Sequence, residues 1–227
     1  MKQKLYETIE TYMRTIMADS AHDCEHVYRV LYNALEIAKG EDVDYDILIT
    51  ACLLHDIGRP DQIADPSLCH AQVGSEKAWQ FLQEQGFDQE FSEAVRHCIL
   101  THRFRKNLPP QTIEAKILFD ADKLDVTGAI GIARTLMYRG TLTEPLYRHL
   151  PDGTISDGTH DIGQSFFREY RFKLEKLYDR FYTRRGAELA QSRREIAKDF
   201  YESLYREISN GYQQGQAALD AYLEDSL

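Results

Sequence analysis

Apolar residues recur every three or four positions along most of the chain, which is the spacing of amphipathic helices. Near the start, this spacing predicts a first helix from Leu5 to about Asp19. Ser20 or Asp23 can cap a second helix, whose apolar face continues to a stop at Gly40. The chain is therefore predicted to open on two helices joined by a short polar segment.

The third predicted helix differs from the first two because it is apolar on nearly every side. Asp44 can cap it, and its apolar run extends from Ile47 to His55. A helix without a polar face is buried by its neighbours, so we expect this one at the centre of a bundle. Gly58 and Pro60 follow it and predict a loop.

Helical spacing continues through the middle of the chain. Four more helices are predicted, over residues 70–84, 87–102, 113–125 and 127–138. The segment 140–160 is rich in glycine and proline, and an irregular stretch of this length is often a lid or a binding element.

Two long helices are predicted near the C-terminal end, over residues 162–183 and 186–209. The aromatic stripe of the first, which begins at Phe166, is typical of core packing. A loosely held tail is expected from Gly211. Because no long run of alternating β-branched residues occurs, the predicted fold is all-α, a single helical domain spanning residues 1–227.

Composition places the chain among soluble globular proteins. It has 227 residues, of which 43% are hydrophobic and 28% charged, and no apolar run approaches 18 residues. The N-terminus lacks the apolar region of a secretory signal, so we expect a cytoplasmic protein without a membrane span. The formal net charge of −10 argues against a broad nucleic-acid surface, because phosphate binding needs a basic stripe.

The four cysteines stand singly in the chain, with no CxxC pair. Neither a structural zinc site nor a disulfide framework is therefore indicated. We expect reduced thiols that are mostly buried.

The residues with the clearest chemical potential end the third helix, in the run Leu53-Leu54-His55-Asp56-Ile57-Gly58-Arg59. Apolar residues there lead directly to an imidazole and a carboxylate, both of which bind metal ions. A second group, His22, Asp23, Glu25 and His26, lies before the second helix or at its start. Positions 22 and 26 are about 40° apart on a helix, so both imidazoles can face one point.

The second group also matches H-x-x-E-H, the pattern of inverted zinc proteases. That activity needs a third ligand on another helix and an edge strand to hold a peptide. Because no such strand is predicted, the metalloprotease hypothesis ranks last.

A third group follows a buried turn, in Asp120-Ala121-Asp122-Lys123-Leu124-Asp125. On a helix Asp122 and Asp125 lie about 60° apart, whereas Asp120 and Asp122 point away from each other. Asp122 and Asp125 are therefore the better pair. Two histidines and two aspartates from three core helices describe a mixed nitrogen and oxygen site for a borderline divalent ion.

The order His26, His55-Asp56, Asp122 resembles the H…HD…D motif of the HD-domain superfamily of metal-dependent phosphohydrolases. The pattern His70-x-x-x-Gly74 is similar as well, and the matching blocks span residues 22–135. The helices within 161–210 resemble those of small bacterial HD proteins that hydrolyse nucleoside triphosphates to monophosphate and pyrophosphate.

The resemblance implies an all-helical fold and assigns His26, His55, Asp56 and Asp122 as metal ligands. The implied cofactor is one divalent ion, Mn²⁺, Mg²⁺, Co²⁺, Ni²⁺, Fe²⁺ or Zn²⁺, with a second ion left open. Residue chemistry supplies a mechanism, since such an ion polarises a phosphoryl oxygen and lowers the pKa of a bound water. Asp56 can orient that water or take its proton.

Charge that builds up on the phosphoryl oxygens needs cations. Arg59 and His97 are the further catalytic candidates beside Asp56. The candidate substrate contacts are His70, His102, Lys123 and Asp125. His97 and His102 are about 140° apart on a helix, so both can face one metal only if the helix ends or bends near Thr101. Arg59 stands where several branches of the superfamily have lysine. A planar guanidinium with several hydrogen-bond donors therefore replaces the compact ammonium group of lysine at this position.

We therefore predict a metal-dependent phosphohydrolase that acts on a small nucleotide. In its most specific form the activity releases pyrophosphate from a (deoxy)nucleoside triphosphate. The expected partner is this small phosphorylated substrate, with neither a nucleic acid nor a membrane, and a homodimer is left open. Two alternatives remain open, a di-iron oxygenase of the HD type, which would use the additional histidines, and a sensor module that binds metal or nucleotide without turnover.

Overall fold

A computed structural model of the protein describes residues 3–17, 24–103 and 107–224. Within these ranges the chain forms α-helices and one 3₁₀ helix, and the only paired extended backbone is an isolated β-bridge between His149 and Ile155. The predicted all-α fold is confirmed. In chain order the α-helices are α1 (Gln3–Met17), α2 (Cys24–Ile37), α3 (Tyr45–Leu54), α4 (Arg59–Ala64), α5 (His70–Glu84), α6 (Gln89–Thr101), α7 (Ile113–Leu124), α8 (Gly128–Thr141), α9 (Phe166–Phe172) and α10 (Arg184–Glu224).

Contacts between residues divide the chain into two compact units. The first consists of Met1–Asp125 and Phe181–Ala187, and the second of Val126–Arg180 and Glu188–Leu227. The single domain expected from the sequence stays a prediction. All the candidate metal ligands belong to the first unit.

Helix α3 occupies the centre of the first unit. It packs against α1, α2, α6 and α7, as its apolar surface requires. The side chain of Asp44 caps it by accepting hydrogen bonds from the backbone N–H groups of Asp46 and Ile47. Both the predicted cap and the predicted central position are confirmed.

The loop predicted after α3 is wrong, because Arg59–Ala64 form the short helix α4. Gly58 is the N-cap and Pro60 lies in the first turn, where the missing N–H of proline has no helical partner to lose. Pro66 lies beyond the helix end. Pro60 therefore lies at the start of this helix and Pro66 lies just after its end, so neither proline interrupts it.

The long helix predicted over 162–183 is also wrong, because it is interrupted. Ser165 caps α9, and the helix ends at Lys173, whose φ of −128° and ψ of −62° leave the helical region. A 3₁₀ helix follows, Leu174–Asp179. The break lets the hydroxyl of Tyr178 accept a hydrogen bond from the backbone N–H of Gly128 at 3.0 Å.

The aromatic stripe of this region forms the core of the second unit, as predicted. Phe166, Phe167 and Tyr170 are almost completely buried. The ring of Tyr170 stacks on that of Tyr201 in α10, with centroids 4.1 Å apart. Burial of several aromatic rings supplies most of the packing energy available to a unit of this size.

Helix α10 continues to Glu224, well past the predicted end at Ser209. Residues 210–224, expected as a loose tail from Gly211, are helical and exposed. The irregular stretch predicted over 140–160 is present, and extends to the start of α9. The caps predicted at Ser20 or Asp23 lie outside the described residues.

The four cysteines are free, with Cys52 and Cys98 buried and Cys24 and Cys69 partly exposed. In the described part of the chain, no helix combines the length and the apolar character that crossing a membrane requires.

Candidate metal centre

Three segments of the first unit bring the four predicted ligands together. His26 lies in the first turn of α2, His55 and Asp56 directly follow α3, and Asp122 lies in the last turn of α7. The Nε2 atom of His26 is 3.4 Å from Nε2 of His55 and 3.5 Å from one carboxylate oxygen each of Asp56 and Asp122. Side chains separated by up to 96 positions thus converge on one point.

The burial of this group is deep but not complete. The side chains of His26, His55 and Asp56 are at most 3% exposed, whereas that of Asp122 is 16% exposed. Solvent therefore reaches the group on the side of Asp122. This combination gives the low local dielectric that strengthens electrostatic interactions while leaving access for a small ligand.

Hydrogen bonds at Nδ1 orient every imidazole in the area. The acceptors are the Asp125 carboxylate for His26 (2.7 Å), the Cys52 carbonyl for His55 (2.7 Å), the Gln62 side-chain oxygen for His70 (2.6 Å) and the Ile99 carbonyl for His102 (2.6 Å). Because these oxygens only accept, Nδ1 carries a proton in each ring, and Nε2 is the nitrogen that faces the cluster and is left to bind an ion. This is the arrangement found around histidines that bind metal ions.

A second group shares Asp56 with the first. The other carboxylate oxygen of Asp56, Oδ1, lies 3.5 Å from Nε2 of His70 and 3.7 Å from Nε2 of His102. Both groups place three potential ligand atoms close enough to surround one ion. Asp56 therefore turns one oxygen toward each group.

The donor set fits a cation. Among the described residues, Oδ2 of Asp56 and the Nε2 atoms of His70 and His102 are buried without a hydrogen-bond partner. Buried polar atoms are normally paired, and a cluster of lone pairs and carboxylates finds its partner in positive charge. The nitrogen and oxygen donors suit a borderline divalent ion.

The protonation states of the cluster point the same way. Burial lowers the pKa of His55, and it lowers the pKa of His70 to about 2. Burial and the nearby His55 together lower the pKa of His102 to about 4. Burial alone would raise the pKa of Asp56, but His55, His26 and Arg59 hold it well below its usual range. Neutral imidazoles and ionised carboxylates are the forms that bind metal.

His26 and Asp122 respond to the same environment differently. Burial acts to lower the pKa of His26, but hydrogen bonds with Asp125 and Asp56 and the charge of Asp122 outweigh it and raise the pKa to about 9. Burial acts to raise the pKa of Asp122, but Lys123 and His26 keep it below its usual range. The space at His26 Nε2 thus attracts positive charge, and an ion that binds there displaces a proton.

Two of the predicted cations lie beside the candidate ligands. Nε of Arg59 donates to Oδ1 of Asp56 at 3.0 Å, and Nζ of Lys123 donates to Oδ2 of Asp122 at 3.0 Å. Lys123 also lies over the ring of Phe119. Their side chains are 25% and 17% exposed, so both can reach an anionic ligand at the edge of the cluster.

His97, predicted as a catalytic residue, lies outside both groups. Its Nε2 accepts a hydrogen bond from the backbone N–H of Gln111 at 3.3 Å. Helix α6 ends at Thr101, and His102 follows as its C-cap and faces Asp56. The wide angle between the two histidines separates them, as the helical geometry predicts.

Two of the three aspartates near the end of α7 form hydrogen bonds or ion pairs with other residues of the chain. Asp125, predicted to contact substrate, is 1% exposed and pairs with His26 and Arg29. Asp120 accepts hydrogen bonds from the backbone of Tyr182 and Thr183. It faces away from Asp122, as expected from their separation on the helix.

Sequence reasoning missed the roles of Arg29 and Gln62. Arg29 follows His26 by three positions, and this spacing on one helix face could have indicated a shared partner. Gln62 lies in α4, the helix that was predicted to be a loop, so the sequence offered no register for it. His22 and Asp23 lie outside the described residues.

A close backbone approach connects the turn after Asp56 to α5. A Cβ atom added at Gly58 would lie 2.2 Å from the carbonyl oxygen of His70 and 2.6 Å from the nitrogen of Gly74. Only glycine at position 58 permits this spacing. The contact accounts for the pattern His70-x-x-x-Gly74 and places His70 beside Asp56.

These observations define a class, helical proteins with a buried cluster of histidines and aspartates that could hold a divalent metal ion. The profile of the HD domain matches residues 24–127. The chain is 31% identical to Bacillus subtilis YpgQ over 90% of its own length and 94% of that relative. The chain belongs to the HD-domain superfamily.

Solved structures agree with this assignment. The structure of Bacillus subtilis YpgQ in complex with ADP superposes with a TM-score of 0.69 at 30% identity, covering 89% of this chain and 97% of that one. An HD-superfamily hydrolase from Bacillus thuringiensis gives a TM-score of 0.69 at 31% identity, covering 91% and 98%. The similarity therefore extends over nearly the whole of each chain.

Proposed function

We propose that the protein is a divalent-metal-dependent phosphohydrolase, with His26, His55, Asp56 and Asp122 as the metal ligands. One observation carries the proposal, the convergence of two histidine Nε2 atoms and two carboxylates at a buried point. Similarity to proteins described as HD-superfamily hydrolases supports the reaction class. A bound divalent ion would polarise a phosphoryl oxygen and lower the pKa of a water.

The chain's own residues supply the remaining functions. Asp56, held ionised by its cationic neighbours, accepts a hydrogen bond from the attacking water and orients it. Arg59 and Lys123 contact the phosphoryl oxygens and stabilise the charge that develops on them. Because His55 and Asp56 are almost completely buried, bulk water is kept from that side of the site, which strengthens these interactions.

The proposed substrate is a (deoxy)nucleoside triphosphate, cleaved to monophosphate and pyrophosphate. The ADP found with YpgQ supports a nucleotide ligand, and the two partly exposed cations, Arg59 and Lys123, suit a chain of phosphates. With a formal net charge of −10, the protein as a whole repels such an anion. Binding therefore depends on local positive charge and on the ion itself.

The test is a panel of nucleotides offered to chelator-treated protein that has been reloaded with one divalent ion at a time. Phosphate and pyrophosphate are measured separately, and we expect pyrophosphate with an equal amount of monophosphate. His55→Ala should lose about 100-fold or more in kcat, because even residues that only support metal ligands contribute about 10- to 100-fold. His160→Ala, at an exposed histidine, is the matched control and should keep full activity.

Full activity in His55→Ala would remove the central pair from the mechanism. Nucleotide binding without product under every ion would favour a sensor that binds but does not turn over.

The second group, Asp56 with His70 and His102, favours one alternative. Three ligand atoms there can hold a second ion, and a pair of iron ions sharing a carboxylate would suit a di-iron oxygenase. Iron content after expression in iron-rich medium, together with oxygen consumption, distinguishes this function from hydrolysis. Two irons per chain and oxygen uptake without phosphate release would support the oxygenase.

A further inference from the structure

The four imidazoles of the cluster are held by acceptors of unequal strength. His55 and His102 donate to backbone carbonyls, and His70 donates to a neutral side-chain amide. Only His26, among these rings, pairs its Nδ1 with a carboxylate, that of Asp125. A full negative charge at Nδ1 makes the opposite nitrogen a stronger donor to a metal than a neutral acceptor does.

Both oxygens of the Asp125 carboxylate accept hydrogen bonds from His26 or Arg29. Its Oδ2 lies 2.7 Å from Nδ1 of His26 and accepts a second hydrogen bond from Nη2 of Arg29 at 3.1 Å. Its Oδ1 accepts from Nε of Arg29 at 2.8 Å. At 1% exposure, the side chain has neither a free oxygen nor a path to a substrate.

Arg29 gives this arrangement its rigidity. Its planar guanidinium binds both oxygens of Asp125, which fixes the orientation of the carboxylate. Arg29 and His26 lie one turn apart on α2, whereas Asp125 caps the end of α7. The pair therefore ties the two helices together at the point where each contributes a candidate ligand.

We infer that Asp125 is a positioning residue for the metal centre, which acts through His26 and is itself oriented by Arg29. The inference rests on the proposed metal-dependent function, and it replaces the direct substrate contact expected from the sequence. Asp125 keeps the proton of His26 on Nδ1, directs Nε2 toward Asp56 and Asp122, and increases the basicity of that nitrogen.

The test measures ion affinity in the absence of substrate and turnover. Chelator-treated protein is titrated with Mn²⁺, and the free ion is followed by electron paramagnetic resonance. Asp125→Asn preserves the volume of the side chain but removes its charge and one acceptor oxygen. We expect Mn²⁺ to bind about 10- to 100-fold more weakly, the usual effect of losing such a supporting group.

Asp120→Asn is the matched control, a buried aspartate of the same helix that binds Tyr182 and Thr183 rather than a histidine. It should lower the thermal midpoint while the affinity for Mn²⁺ stays at the wild-type value. The comparison distinguishes a positioning role of Asp125 from a general loss of stability. If Asp125 were only structural, both variants would change the thermal midpoint and the Mn²⁺ affinity in the same way.

A second variant guards against misfolding of the first. Arg29→Lys keeps a positive charge but loses the two-point grip on Asp125, so we expect a smaller loss of Mn²⁺ affinity. Wild-type affinity in folded Asp125→Asn, or in Arg29→Lys if the first variant does not fold, would overturn the inference. If the wild-type protein itself binds no divalent ion, the proposed metal centre fails first, and this outcome is distinct from failure of the Asp125 role.

Discussion

His97 and His102 lie near the same end of α6, but their side chains point in different directions and contact different groups. His102 points Nε2 at Oδ1 of Asp56, 3.7 Å away, whereas Nε2 of His97 accepts a hydrogen bond from the backbone of Gln111. We expect His102→Ala to lower kcat for nucleotide hydrolysis about 10-fold or more, since it removes a group that contacts the shared carboxylate. His97→Ala should retain nearly all activity.

The measurement is the initial rate of product release by both variants at saturating substrate and ion. Circular dichroism confirms that each is folded. Equal losses in the two variants would restore the catalytic role that the sequence suggested for His97.

The types of residue in the centre were predictable because few side chains bind divalent ions. His26, His55, Asp56 and Asp122 could be chosen from the sequence by residue type, helical phase and family resemblance together. The partner of each was not predictable in the same way. Asp125 and Asp122 lie about 60° apart on one helix, yet only the positions of neighbouring helices decide which of them faces the ion and which faces the far side of His26.

At the scale of secondary structure, the contact between the turn before α4 and the start of α5 fixes the geometry of the centre. The atoms that a Cβ at Gly58 would strike belong to the backbone of α5, which cannot rotate aside. Gly58→Ala must therefore push α5 away and separate His70 from Asp56. We expect a loss of about 1–3 kcal/mol in the free energy of unfolding, the usual cost of overpacking.

Gly140→Ala in α8 is the control for this substitution. A Cβ there meets no atom within 4 Å, so we expect a gain of up to about 1 kcal/mol from the higher helix propensity of alanine. Urea denaturation measures both variants. A Gly58→Ala protein as stable as wild type would show that the approach of the two backbones is adjustable.

The bounds of the helices were predictable where strong local features agree. The helix α5, His70–Glu84, is found where the apolar spacing predicted it. The apolar spacing gave a wrong prediction over 162–183, because Phe166, Tyr170 and Leu174 are buried on both sides of the break and their spacing alone does not reveal it. The break at Lys173 depends on contacts such as that between Tyr178 and Gly128, which join residues 50 positions apart.

At the scale of the whole molecule, charge distribution matters more than composition. The chain has 37 acidic and 27 basic residues, yet basic side chains stand beside both candidate carboxylate ligands. The number of folding domains is also a property of the whole molecule. A single domain, as predicted, would unfold in one cooperative transition, whereas two transitions would fit the division of the chain into two compact units.

The stability of the whole molecule depends on pH, and Glu169 in the second unit makes a contribution to this dependence that can be measured separately. Its carboxylate is 18% exposed and binds Arg139 at 2.5 Å and Lys173 at 2.8 Å. Burial acts to raise the pKa of Glu169, but Lys173 and Arg139 outweigh it and hold the pKa below its usual value of 4.5. Folding therefore favours the ionised form.

A depressed pKa in the folded state gives stability that is present above the ordinary pKa and lost as pH falls through the folded value. We expect Glu169→Gln to be about 1–2 kcal/mol less stable than wild type at pH 7, allowing for partial screening by solvent. The difference should shrink steadily below pH 4.5. Urea denaturation from pH 7 to pH 3 measures it, with Glu195→Gln at an exposed position as the control. A gap that stays constant over this range would mean that Glu169 contributes by packing and not by charge, since both proteins lose their other acidic contributions equally.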